Sequence, residues 1–312
     1  MKYVCFAALL LTSFLSADSL ESTSPLMPSQ TELQLPTPHF QPPPYKSPFL
    51  AVGLSVIYPG LGHVYLGDMQ TAGALMGSTG LTLGLATSDF SSYPIRINSI
   101  IAMQNISFYG LYAAYRDVRK YNGNSGYSYK MPNDSLGDLS YAPFKWSIIK
   151  KPEVWGGLLG SFALMITASH LLNTKDARSK VKFSSANQML PAMALPIGIG
   201  EEAFFRGYLQ PLFSEWLTPW GGIALSSAVF GAAHILNAQV LMSEDRWRYY
   251  SFALPLITSM GVYFGWLTYK NNSLQESVAL HTWYDLIIFT ASVLAAQASV
   301  TGRTSFAITV PF

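Results

Sequence analysis

The chain carries a succession of about eight apolar segments, each roughly the length of a helix that crosses a bilayer: 49–66, 70–88, 97–115, 153–172, 187–212, 219–237, 249–269 and 275–298. In lipid every backbone N–H and C=O must find a partner inside the protein, so such segments fold as helices or as a closed barrel. Lengths near 20 residues select helices over the roughly 10-residue strands of a barrel. The expected fold is all-α, a polytopic membrane helical bundle of about eight transmembrane helices. Composition agrees: half of the 312 residues are hydrophobic and 12% are charged, against about 25% in soluble domains. The formal net charge is only +2 and Lys and Arg form no dense run, which sets nucleic-acid binding aside, because phosphate backbones require a clustered basic face. The single cysteine, Cys5, leaves no disulfide framework, zinc–thiolate site or CxxC redox motif.

Composition shifts divide the chain. Residues 1–17 place Lys2 before an apolar run that ends in small residues near Ala17, the anatomy of a signal peptide, with an uncleaved anchor as the alternative. Residues 18–47 are rich in Ser, Thr, Gln and Pro, with Pro36, Pro38, Pro42, Pro43 and Pro44 close together, and read as a disordered linker. Then come accessory membrane helices at 48–116, a polar loop at 117–152, a catalytic helical domain at 153–300 and a tail at 301–312. The stretch Arg116–Lys151 holds seven Lys/Arg and Asn173–Ala186 holds four, yet one span between them should put them on opposite sides. The larger count favours a cytoplasmic 116–151 loop.

Charged side chains at membrane depth are costly and each is a functional candidate. The segment GIGEEAFFRGYLQ sets Glu201, Glu202 and Arg206 in apolar surroundings. Glu202 and Arg206 stand at i,i+4, acid before base, the favourable order for an ion pair. Glu201 lies about 100° around the helix and faces a different partner. The next segment, ALSSAVFGAAHILN, puts Phe230 and His234 on one face, and ESVALHTWYDLIIF puts His281 and Asp285 at i,i+4. Two Glu, one Arg, two His and one Asp on three apolar helices suit water activation: a carboxylate or imidazole takes the proton of water, and donors hold the oxyanion that forms on an attacked carbonyl.

EEAFFR (Glu201 to Arg206), FGAAH (Phe230 to His234) and HTWYD (His281 to Asp285) resemble, in order and on separate segments, the EExxxR, FxxxH and HxxxN/D motifs of the CAAX prenyl protease and bacteriocin-processing family. The resemblance covers about residues 150–300. It implies an intramembrane endopeptidase of metallo- or glutamate type, in which Glu201 with His234 activates water, Glu202 and Arg206 support Glu201, and His281 with Asp285 holds the oxyanion or a metal. It further implies a peptide or protein substrate, free or membrane-anchored, and an integral protein of the bacterial inner membrane. Separately, Tyr58 to Met76 resembles a small two-helix membrane module with a PG-x-G-x-x-Y-x-G turn; His63 and Asp68 within it read as turn residues.

The fourth position of the last motif separates two chemistries. An Asn amide can donate to an oxyanion, whereas an ionised Asp285 only accepts, so Asp285 is protonated, orients His281 or ligates a cation. Glu201, His234, His281 and Asp285 would form a zinc set, while the HExxH signature of zinc proteases is absent, which favours a water activated by Glu and His without metal. No certain cofactor follows, and a divalent metal such as zinc is the candidate. The rival to an enzyme is a non-catalytic membrane scaffold or immunity protein on the same fold.

Overall fold

The computed structural model describes residues 44–172, 189–240, 243 and 246–300. The expected signal peptide, nearly all of the 18–47 linker, the basic loop 173–186 and the tail 301–312 lie outside the described residues. The described helices belong to one compact unit, Lys46–Phe312, and the described residues contain no strand.

The segment expected as one helix over 49–66 is two. In α1 (Pro48–Ile57) Ser47 Oγ accepts the Leu50 N–H at 3.3 Å and Pro48 opens the helix. The helix stops at Tyr58, and Gly60, at φ 103°, turns the chain into α2 (Leu61–Leu66), a conformation that costs glycine nothing. Asp68 Oδ1 then accepts the Thr71 N–H at 3.0 Å and caps α3 (Met69–Thr87). The glycine-rich turn is thus a pair of helix ends back to back.

α4 (Tyr93–Tyr121) outruns its expected 97–115 by about one turn at its start and nearly two at its end, the latter because Arg116, Asp117 and Arg119 find partners within the fold and need no loop in water. Beyond it the expected polar loop carries two short helices, α5 (Leu136–Tyr141) and α6 (Trp146–Ile149). A capping box, in which Ser135 and Asp138 satisfy each other's backbone N–H groups, opens α5. The hydrogen bonds of the Ser135 side chain and backbone hold the Asp138 carboxyl below its usual range.

The rear half consists of α7 (Pro152–Leu172), α8 (Ala194–Glu202), α9 (Gln210–Trp216), α10 (Pro219–Ala233), the single turn α11 (Arg246–Arg248), α12 (Leu254–Asn271) and α13 (Gln275–Val300). The expected 187–212 helix is α8, a π-helical stretch Ala203–Leu209 and α9 end to end. Another π-helical stretch, Tyr249–Ala253, leads into α12. Both have the same cause. The last ordinary donor, Gln210 or Leu254, reaches back five residues to Phe205 O or Tyr249 O, and the next residue is a proline, Pro211 or Pro255, with no N–H to continue the ladder.

Three helical stretches among the described residues are long and apolar enough to cross a membrane: Pro219–Gln239, Arg246–Asn271 and Gln275–Leu294. The expectation of an all-helical membrane protein therefore stands, with three such stretches where about eight spans were expected. One buried apolar cluster joins Tyr109, Tyr112 and Tyr115 of α4, Ile199 of α8, Ala203 and Leu274 and Val278 at the start of α13. It fixes α8 and α13 side by side, which is where the charged residues lie.

Candidate active site

Glu202 closes α8 and Arg206 stands in the π-helical stretch after it. Arg206 Nη1 donates to Glu202 Oε1 at 3.1 Å, with both side chains fully buried. The expected i,i+4 ion pair is present. The guanidinium carbon lies 4.2 Å from the Phe230 ring centroid, 5.3 Å from that of Phe264 and 5.7 Å from that of Phe205, so aromatic faces cover the cation beside its Glu202 partner. Arg206 Nε and Nη2 and Glu202 Oε2 have no hydrogen-bond partner among the described protein groups.

α13 brings in the imidazole. His281 Nδ1 lies 2.8 Å from the same Glu202 Oε1, and because a carboxylate only accepts, Nδ1 carries the proton. The other nitrogen, Nε2, faces Asp285 Oδ2 at 3.5 Å and Glu201 Oε2 at 3.8 Å. The His281 ring lies 5.4 Å from the Phe264 ring centroid and meets the Phe230 ring edge-on at 6.4 Å. Close approach of the two helices makes this possible: a Cβ on Gly198 would sit 2.7 Å from Thr282 Oγ1, next to His281, so α8 can meet α13 only with a glycine there.

The two adjacent glutamates therefore differ in kind. Glu202 is fully buried and committed to Arg206 and His281, whereas the Glu201 side chain retains 17% exposure and Asp285 12%. Of the two glutamates, Glu201 is the partly exposed one.

His234 lies at the end of α10, where its Nδ1 is 2.8 Å from Phe230 O and its own carbonyl accepts the Tyr249 hydroxyl at 2.8 Å. Since the Phe230 carbonyl only accepts, Nδ1 carries a proton and donates it there. The His234 ring packs 4.6 Å from that of Phe230, whose other neighbours are Arg206 and His281. No hydrogen bond or ion pair among the described residues joins His234 to Glu201, Glu202 or His281. The structure thus gathers Glu201, Glu202, Arg206, His281 and Asp285 and leaves His234 one aromatic ring away.

Among the described residues no group of three or more His, Cys, Asp or Glu is arranged to hold a metal ion. The expected set of Glu201, His234, His281 and Asp285 is not brought together whole: Glu201 and Asp285 face His281 Nε2, whereas His234 stands beside Phe230.

Sequence reasoning missed Phe264, the aromatic shared by Arg206 and His281, which carries no ionisable signal. It also missed Asp134, Lys145 and Lys151, which grip the start of α13: Asp134 accepts the Leu274 N–H at 2.8 Å, Lys145 Nζ donates to Gln275 Oε1 at 2.8 Å and Lys151 pairs with Glu276.

A family model described as type II CAAX prenyl endopeptidase, Rce1-like, matches residues 184–287, a stretch that holds all six ionisable motif positions. No curated protein and no solved structure matches the chain. Over residues 184–287, about a third of its length, the chain is thus similar to the CAAX prenyl protease family whose motifs it carries.

Proposed function

We propose that the protein is an intramembrane endopeptidase that hydrolyses a peptide bond with a water activated by Glu201. The observation that carries the reading is the division of labour between neighbouring carboxylates: Arg206 and His281 occupy Glu202, while Glu201 stays partly exposed with its Oε2 3.8 Å from His281 Nε2. Glu201 takes a proton from water, the hydroxide attacks the scissile carbonyl carbon, and the carbonyl oxygen becomes an oxyanion. Glu201 then gives the proton to the leaving amine, and the C–N bond breaks. His281, held by Glu202 through Nδ1 and close to Asp285 through Nε2, offers the ring positioned to donate to the oxyanion when Nε2 is protonated. His234, whose Nε2 holds a lone pair when the ring is neutral, takes part as a second proton acceptor on the substrate side.

The substrate class is a peptide or membrane-anchored protein, and the setting is the inner membrane of a bacterial cell, crossed by the three long apolar stretches. Incubation of the purified chain with a peptide library, with and without chelator, tests the reading. Discrete cleavage lost in Glu201→Gln supports it; no cleavage of any peptide with an intact fold favours the scaffold or immunity role.

A further inference from the structure

The chemistry above uses α8, α10 and α13, and leaves the front helices without a task. They are joined to α13 by a polar relay. At the end of α4, Arg116 Nε and Nη2 hold Asp117 Oδ1 and Oδ2 at 2.7 and 2.9 Å, and Asp117 Oδ2 lies 3.3 Å from His63 Nε2 in the glycine-rich turn. The third guanidinium nitrogen, Nη1, donates to the Asp134 backbone carbonyl. Tyr112, fully buried on α4, adds its hydroxyl to the Pro132 and Asp134 carbonyls, at 3.2 Å each.

Asp134, so held, turns its carboxylate on the first residues of α13. Oδ2 accepts the Leu274 N–H at 2.8 Å, and Oδ1 accepts from Ser273 Oγ and Gln275 Nε2, both at 2.9 Å. Ser273 Oγ in turn accepts the Gln275 N–H at 3.1 Å. The start of the helix is therefore capped by a residue 140 positions earlier in the chain. A negative carboxylate there also complements the helix dipole. His281 follows less than two turns later.

The same node reaches the other half of the site. A Cβ on Gly207, next to Arg206, would lie 2.5 Å from Tyr112 Cδ2 and 3.1 Å from Leu274 Cδ1. Tyr112 and Leu274, one bonded to the Asp134 carbonyl and the other to its carboxylate, thus pack directly on the helix that carries Glu202 and Arg206.

We propose that Asp134 and Arg116 are positioning residues through which the front helices set the register of α13 and hold His281 against Glu202. The proposal rests on reading that pair as part of the catalytic machinery. A relay of this kind is highly coupled, since loss of one member leaves its buried partners unsatisfied.

The test reads the His281 Nδ1–H signal by NMR of the purified full chain with labelled histidine, assigned by its loss in His281→Ala. Asp134→Ala is expected to shift or abolish that signal while thermal unfolding in detergent stays cooperative, and Asp134→Asn, which keeps one acceptor for Leu274, is expected to restore it in part. Where wild type cleaves peptide, Asp134→Ala should lower kcat by about a hundredfold with KM little changed, the scale of a misplaced catalytic group. An unchanged His281 signal in Asp134→Ala overturns the proposal. If Asp134→Ala does not fold, the double variant Ser273→Ala, Gln275→Ala removes two donors from the other side, and an unchanged signal there overturns it equally. A shifted signal in a chain whose wild type cleaves nothing contradicts the protease reading and leaves the positioning role standing.

Discussion

His281 Nδ1 and Glu202 Oε1 lie 2.8 Å apart, joining residues 79 positions apart in the chain, and the same oxygen accepts Arg206 Nη1 at 3.1 Å. One carboxylate oxygen serves as the hub for an imidazole and a guanidinium. That commitment makes Glu202 a support and, in the proposed mechanism, leaves its neighbour, Glu201, for chemistry.

Arg206→Ala should cost roughly 3–5 kcal/mol, because it leaves the fully buried Glu202 without its cation. The measurement is thermal or denaturant unfolding in detergent. The double variant Arg206→Ala, Glu202→Gln should lose less than the two single losses combined, since it removes both charges of the pair; strictly additive losses would contradict the pairing.

Asp117, at the end of α4 beyond the 97–115 segment, provides an acid-labile contribution. Burial pushes its carboxyl up, but hydrogen bonds from His63 and Arg116 more than reverse this and bring it to about 2, below the ordinary 3.8. A depressed carboxyl stabilises the fold above its unfolded-state value and loses that contribution as pH falls through the folded value. The difference in melting temperature between wild type and Asp117→Asn should be full above about pH 4 and close on approach to pH 2. A gap constant from pH 6 to pH 2 would argue against the coupling.

Asp285 distinguishes the two chemistries at His281. With the metal-free water, Asp285→Asn supplies a donor where the carboxylate could only accept, so cleavage should persist or rise. Loss of cleavage in Asp285→Asn that added zinc restores would instead assign Asp285 to a metal.

What the sequence made legible was local. Glu202 with Arg206 and His281 with Asp285 stand at i,i+4, and helical periodicity alone brings each pair to one face, at 3.1 and 3.5 Å. The contact between His281 and Glu202 crosses two helices, and no periodicity encodes it. The direction of Glu201 was hidden for the same reason: spacing separates it from Glu202 around the helix and says nothing of the helix it faces, which is α13 and not that of His234. Arg116, Asp117 and Arg119 looked like a loop because charge was weighed against water, whereas each is paired inside the fold. The π-helical stretches left a trace only in Pro211 and Pro255, which by themselves announce a break or a kink as readily as a wider turn. The front segments do not register as apolar spans partly because α4 buries Asn98, Ser99 and Asn105 against other helices, which hydropathy counts as polar.

The most direct test of the account is the Glu201→Gln variant of the purified full chain, followed by peptide cleavage and thermal unfolding on one preparation. The account predicts cleavage lowered by at least about a thousandfold, the scale of a lost general base, with the melting temperature near that of wild type because Glu202, Arg206 and His281 keep their contacts. Cleavage at the wild-type rate in Glu201→Gln would contradict the assignment of the water to Glu201.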